Sequence, residues 1–251
     1  MKFDIPVPCF FGGDDFCEAI KKIGRLGFNA AETYDWKSLE PEKVRAACSE
    51  SGVELISMCT SFFNMTEPEA AETWLDALKE SCRAAKKLGV GRLITQVGAD
   101  TGKERAFQHE SIVKNLKAAE SVLEYYGITL MIEPLNTLVD HRGYYLTSSA
   151  EAFDIIREAG GRFSKVVFDI YHQQISEGNI IPNIVNNLEL IAHLHCAGHP
   201  GRHDLQLGEN DYNVIFAAVD KAGYDGFCGL EYSPVGTAEE SLNEFKRLYV
   251  K

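Results

Sequence analysis

Four ionisable residues stand at places where the chain has no structural reason to carry them. Glu133 closes the run Thr-Leu-Met-Ile-Glu, Asp169 closes Val-Val-Phe-Asp, His195 closes His193-Leu-His195, and Glu231 closes Gly-Leu-Glu. Taken singly, an acidic residue after an apolar run starts a loop or caps a helix, and a histidine there packs as a satisfied core residue. Taken together, on four successive apolar runs, they demand another explanation, because four buried ionisable groups without a counter-ion would be very costly. A divalent cation removes that cost. Three carboxylates and one imidazole are mostly hard oxygen donors. They suit one Mn²⁺ or Mg²⁺ ion better than a closed structural Zn²⁺ site, with Co²⁺ and catalytic Zn²⁺ as further options.

Other residues can reach the same place. His172 follows Asp169 by three residues in Asp-Ile-Tyr-His and can return to bind a substrate oxygen. Arg202 lies in the loop Gly198–Asp204. It is either a clamp for a carboxylate or phosphate, which guanidinium pairs with bidentately, or a surface arginine in a turn. His193 shares the face of His195 one layer deeper, as a supporting or core residue, and Glu32 near the end of another run is a weaker candidate for the same mouth. Phe10, Phe11, Tyr34, Trp36, Phe62 and Phe63 could wall a pocket or simply pack. Cys196 and Cys228 sit beside the site residues, at positions that alternation turns away from it.

The elements that must position these groups follow from periodicity. Strands are expected at Phe3–Cys9, Ala30–Tyr34, Glu54–Met58, Leu93–Val97, Thr129–Glu133, Val166–Asp169, Ala192–His195 and Phe227–Glu231. Between them run amphipathic stretches, Phe16–Leu26, Pro41–Ser51, Ala70–Leu88, Glu104–Tyr126, Ser149–Ala159, Val214–Ala222 and Ala238–Leu248. Several end in a glycine followed by an apolar run, as in Leu26-Gly27-Phe28 and Tyr126-Gly127-Ile128, the signature of a left-handed helix cap. Repeated strand-then-helix units require a parallel sheet. Eight of them in 251 residues predict one (β/α)₈ TIM barrel, a single domain over residues 1–251. An open doubly wound sheet is the weaker alternative, since no G-x-G-x-x-G follows the first run. In a barrel the active site lies at the C-terminal ends of the strands, where the four residues fall. Period-two alternation pairs Glu133 with Met131 and Asp169 with Val167 on the inward face, and turns Ile132 and Phe168 toward the helices.

Composition narrows the partners. The net charge of −12 comes from acidic residues spread along the chain, which disfavours nucleic acid or an anionic membrane. Seven scattered cysteines without a C-x-x-C pair read as reduced thiols in a cytoplasmic protein. No run is long and apolar enough for a signal or a membrane span. A small molecule is the expected partner, and a homo-oligomer stays open. The G-x-S-x-G, P-loop and H-E-x-x-H motifs are absent.

The segments Ile-Glu133-Pro-Leu-Asn, Phe-Asp169-Ile-Tyr-His172-Gln-Gln, His193-Leu-His195-Cys-Ala-Gly-His-Pro-Gly-Arg202-His203 and Gly-Leu-Glu231-Tyr resemble the hydroxypyruvate isomerase family. That family belongs to the xylose-isomerase-like barrels, which also include keto-sugar 3-epimerases. The resemblance runs the length of the chain and is dense from about residue 130 onward. It departs at Arg142, where relatives commonly place proline, and in Cys59-Thr-Ser-Phe-Phe-Asn-Met, which lacks the family's N-L-P-A-G-D-W stretch. The resemblance implies a metal-dependent isomerase of carbohydrate metabolism, held to one divalent ion by Glu133, Asp169, His195 and Glu231. Glu133 and Glu231 would double as the acid/base pair, and His172 and Arg202 would contact substrate. The expected reaction is proton transfer through a cis-enediolate of hydroxypyruvate, giving tartronate semialdehyde, or of a related 2-oxo acid. The alternatives are 3-epimerisation of a ketose of the tagatose or psicose type and, more distantly, metal-dependent hydrolysis on the same barrel. A non-catalytic sugar-binding barrel would not need both Glu133 and Glu231.

Overall fold

A computed structural model describes residues 1–62, 64–68 and 71–250. Short strands alternate with helices from the start of the chain: β1 (Lys2–Pro6), α1 (Val7–Phe11), α2 (Phe16–Arg25), β2 (Ala30–Thr33), α3 (Pro41–Ser51), β3 (Glu54–Cys59), α4 (Ala71–Leu88), β4 (Arg92–Thr95), α5 (Arg105–Tyr126) and β5 (Thr129–Ile132). The second half continues with α6 (Ser149–Ala159), β6 (Ser164–Asp169), α7 (Ile170–Ser176), α8 (Ile180–Val185), β7 (Ile191–Cys196), α9 (Tyr212–Lys221), β8 (Phe227–Leu230) and α10 (Ala238–Tyr249). The strands pair in parallel and in chain order, and β8 returns to β1, closing the barrel.

Local chemistry sets the element ends. Asp15 and Asp211 accept from backbone N–H groups in the first turns of α2 and α9, and Thr237 with Glu240 forms a capping box on α10. Gly52 and Gly127 cap α3 and α5 at φ 70° and 61°, the left-handed conformation expected of them. One expectation is corrected. The first strand does not run through Phe3–Cys9 but stops at Pro6, and Val7–Phe11 coils into α1. Pro8 explains the break, because it has no N–H to give a ladder and its fixed φ suits a first helical turn. The first residue of the expected Ala70–Leu88 helix lies outside the described residues.

Two apolar clusters fill the molecule. The larger lies between sheet and helices and takes Ile132, Phe168, Leu194 and Leu230 together with Cys196 and Cys228. The smaller, Ile94, Met131 and Val167, lies inside the barrel. The alternation read from the sequence therefore holds, with Met131 and Val167 inward and Ile132 and Phe168 outward. Register then aligns the polar residues: Val167 pairs with His193, Asp169 with His195, and His195 with Gly229. No helix among the described residues is long and apolar enough to cross a membrane.

Candidate active site

Each of the four residues singled out first leaves a different strand at the same end of the barrel. Asp169 is the last residue of β6 and also the N-cap of α7, where its Oδ1 accepts from Tyr171 N at 2.7 Å. That bond fixes the carboxylate and leaves Oδ2 facing inward. His195 lies next to it on β7, while Glu133 and Glu231 follow the last residues of β5 and β8. Backbone pairing continues past β8, since Glu231 N donates to Cys196 O at 3.0 Å. The strands, not the loops, thus aim all four side chains. Asp169 and His195 are fully buried, Glu133 nearly so, and the Glu231 side chain is 14% exposed.

Carboxylate oxygens of Glu133, Asp169 and Glu231 and a ring nitrogen of His172 lie within 4.8 Å of one another. His195 Nδ1 borders the same centre, 3.4 Å from Glu133 Oε1 and 3.3 Å from Glu231 Oε2. Two imidazoles therefore meet three carboxylates, and hydrogen bonding tells them apart. Asn136 Oδ1 accepts from Val139 N and Asp140 N, which turns its Nδ2 toward His172 Nδ1 at 2.7 Å. Nδ1 of His172 must accept there, so its Nε2 carries a proton and can only donate. His172 Nε2 lies 3.5 Å from Asp169 Oδ2. His195 is arranged the other way, with Nε2 3.0 Å from Glu32 Oε1 and Nδ1 toward the centre. His195 is thus suited to give a lone pair to an ion, and His172 to give a proton to a substrate oxygen.

The donor set fits a divalent ion on a second ground. Glu133 Oε1, Asp169 Oδ2 and His195 Nδ1 are buried and have no hydrogen-bond partner among the described residues. Buried groups left so are expensive unless a cation satisfies them. The titration behaviour says the same. Burial, with Glu231 nearby, pushes Asp169 up to about 8, and burial also raises Glu133. Burial works in the same direction on Glu231, yet Arg202 and a protonated His195 hold it well below the usual carboxylate range. Against burial, Glu32 and Glu231 raise His195 well above the usual imidazole range, so without an ion it carries the proton that an ion at Nδ1 would displace. Burial pushes His172 down to about 3, keeping it neutral.

Arg202 reaches the site from the loop after β7. Its guanidinium hydrogen-bonds Glu231 Oε2, lies 3.7 Å from Asp169 Oδ2 and packs over the Tyr171 ring. Among the described residues its Nη1 takes no hydrogen bond and is free for an anion. The loop is held by a backbone bridge between Gly198 and His203 and by the close approach of Gly208. A Cβ on Gly208 would come within 2.7 Å of Gly198 Cα.

The site opens into a cavity of about 360 Å³, lined also by Thr60, Ile94, Gln96, Leu135 and His141. Of the aromatic residues considered for its wall, Tyr34 and Phe62 line it. Phe10 packs on Tyr232, Phe11 joins the core and Trp36 donates to Cys59 O, while Phe63 lies outside the described residues. A second cavity of similar size opens among β1, α9 and α10, far from these groups and without their convergence.

Three contributors were not assigned roles by sequence reasoning. Tyr34 donates to Glu231 Oε1 at 2.7 Å, and Asn136 orients His172. Both had a signal: Tyr34 is two residues past Glu32, on the same face, and Asn136 closes the Glu-Pro-Leu-Asn segment. Asp4, buried in β1 with its carboxylate 3.7 Å from His193 Nε2, had only its charge in an apolar run.

Comparison with known proteins gives a consistent picture. A family model described as xylose isomerase-like TIM barrel matches residues 19–248. Hydroxypyruvate isomerase of Escherichia coli is 28% identical over 96% of this chain and 97% of its own. The 2-oxo-tetronate isomerase of Cupriavidus necator is 37% identical over 57% of this chain and 55% of its own. Among solved structures, one titled AP endonuclease, family 2, from Brucella melitensis superposes with a TM-score of 0.92. It covers 99% of both chains at 22% identity, a likeness that carries the fold alone.

Proposed function

From the premise that this chain belongs to the xylose isomerase-like TIM-barrel family, we propose that it is a divalent-metal-dependent isomerase of a small 2-oxo acid such as hydroxypyruvate. That the chain is an isomerase or epimerase accords with relatives that match it and bear isomerase names. The finer reading rests on one observation: three buried carboxylates and the Nδ1 of His195 converge where the strands end, with partnerless atoms facing one centre. Glu133, Asp169, His195 and Glu231 would hold the ion. When bound, it would polarise the two adjacent substrate oxygens and acidify the proton on the neighbouring carbon.

The remaining work falls to the side chains. Glu231, kept ionised by Arg202, takes the proton from C3 of hydroxypyruvate, and the C–H electron pair becomes the C2–C3 double bond of an enediolate. Glu133 relays a proton to C2, leaving an aldehyde at C3, and the proton on Glu231 passes to solvent as Glu133 draws one from it, so each carboxylate ends the turnover ionised. The hydroxyl proton moves from O3 to O2, and His172 Nε2–H supports the oxygen on which negative charge gathers. Arg202 binds the carboxylate. Tyr34 holds Glu231 in line.

The test is to incubate the Mn²⁺-loaded protein in D₂O with hydroxypyruvate, 2-oxo-tetronate and a ketohexose, and to follow products and deuterium by NMR. Turnover of an oxo acid with deuterium at the reacting carbon, abolished by EDTA and restored by Mn²⁺, is the expected result. Turnover of the ketohexose alone would move the assignment to the 3-epimerase reading. Undiminished turnover after chelation would end the metal-dependent one.

A further inference from the structure

Beneath the candidate ion site the barrel interior carries a second polar layer. Asp4 on β1, Glu32 on β2, Ser57 on β3 and His193 on β7 are all at most 1% exposed. A barrel interior is ordinarily filled by bulky branched apolar side chains, so these groups need a reason to be there.

Their geometry is directional. Glu32 presents Oε1 to His195 Nε2 at 3.0 Å, while its Oε2 accepts from Ser57 Oγ at 2.6 Å and lies 3.4 Å from His193 Nε2. Oε2 is therefore tied by the Ser57 hydrogen bond, and Oε1 meets His195 Nε2 as an ion-pair contact. The contact with His195 crosses the barrel, because β8 and β1 separate β7 from β2. It is open only because β8 carries Gly229 opposite His195. A Cβ there would stand 2.9 Å from His195 Cδ2 and 3.1 Å from Glu32 Oε1, so ring or carboxylate would have to move.

We propose that Glu32 is a positioning residue for His195: it holds the imidazole by Nε2–H through the space left by Gly229, so that the Nδ1 lone pair faces the ion. The assignment rests on the reading of His195 as a ligand. A carboxylate on the outer nitrogen of a ligating histidine fixes the tautomer and ring angle and makes the inner nitrogen more basic. Ser57 and His193 extend the same restraint by fixing Glu32. A purely structural ion pair would make a different prediction, since its loss would lower thermal stability and leave ion binding alone.

The experiment titrates Mn²⁺ into the chelator-treated full chain and reads free Mn²⁺ by electron paramagnetic resonance. Glu32→Gln keeps the volume and one acceptor oxygen but removes the charge. Its Kd for Mn²⁺ should rise by roughly 10- to 100-fold, the usual cost of losing such a partner. Gly229→Ala should weaken binding in the same direction, although it removes no polar group. In the Mn²⁺-free wild type, NMR should find a slowly exchanging His195 Nε2–H resonance, displaced in Glu32→Gln. A folded Glu32→Gln that binds Mn²⁺ within twofold of wild type overturns the proposal. Should that variant fail to fold, wild-type affinity in Gly229→Ala, or no Nε2–H resonance in the wild type, overturns it equally. A wild type that binds no Mn²⁺ is a distinct result, since it removes the metal reading and this inference with it.

Discussion

The inside of this barrel has two unlike sides. Toward β4, β5 and β6 it is closed by Ile94, Met131 and Val167, an apolar plug of the ordinary kind. Toward β7, β8, β1 and β2 it holds His193, His195, Asp4 and Glu32, ionisable groups with no exposure to water. The first side needs only shape, and any side chains that fill it would serve. The second is costly unless each charge meets a partner, and its members lie at ion-pair distance from one another, 3.7 Å from Asp4 to His193, 3.4 Å from His193 to Glu32 and 3.0 Å from Glu32 to His195. On the proposed reading, the apolar side supplies stability to the barrel, and the polar side supplies orientation to the site.

The sharpest way to separate the two is to damage the apolar side. Met131→Ala, at a fully buried position, should cost about 2–5 kcal/mol of stability, as large-to-small core changes do. Mn²⁺ affinity should stay within twofold, read by denaturant unfolding beside an ion titration. A matching loss of affinity would mean that the two sides are mechanically one.

At the mouth the expectation is reversed. Glu231→Gln should unfold like the wild type, because the amide is nearly isosteric, while turnover falls by at least the ~10²-fold of a lost general base. Steady-state rates on the substrate found in the D₂O experiment give the answer. Near-wild-type rates in both this variant and Glu133→Gln would remove the two-carboxylate assignment and leave the ion site standing.

The smallest effect concerns pH. Asp169 is pushed up to about 8 in the folded chain by burial and by Glu231, against about 4 when unfolded. Below about pH 4 both states hold the proton, and between 4 and 8 the folded state binds more, so this group makes the ion-free chain less stable as pH rises across that window. Ion binding must expel the proton. Mn²⁺ affinity should therefore climb with pH by about tenfold per unit for each proton expelled, with Asp169→Asn lowering the slope. Calorimetric titration between pH 6 and 9 checks it, and a flat wild-type profile would show that Asp169 gives up no proton to the ion.

The sequence by itself determined the barrel and which polar residues gather at one end of it. Strand and helix periods depend on neighbours a few residues away, and Gly52 and Gly127 mark helix ends by their own backbone freedom. The end of a strand is likewise a local property, so Glu133, Asp169 and Glu231 were conspicuous wherever the strands went. Local reading erred at Val7–Cys9, where an apolar run suits a strand or a buried helix turn alike. The surroundings of the two histidines were decided only by the tertiary structure. His172 donates because Asn136, thirty-six residues earlier, presents an N–H to its other nitrogen. His195 faces inward with Nδ1 because Glu32 reaches it across two intervening strands past a glycine. An imidazole has two chemically similar nitrogens, and which one is protonated depends on what lies opposite each. That is a matter of closure around the barrel, which brings β2 to β7 and which no spacing along the chain encodes.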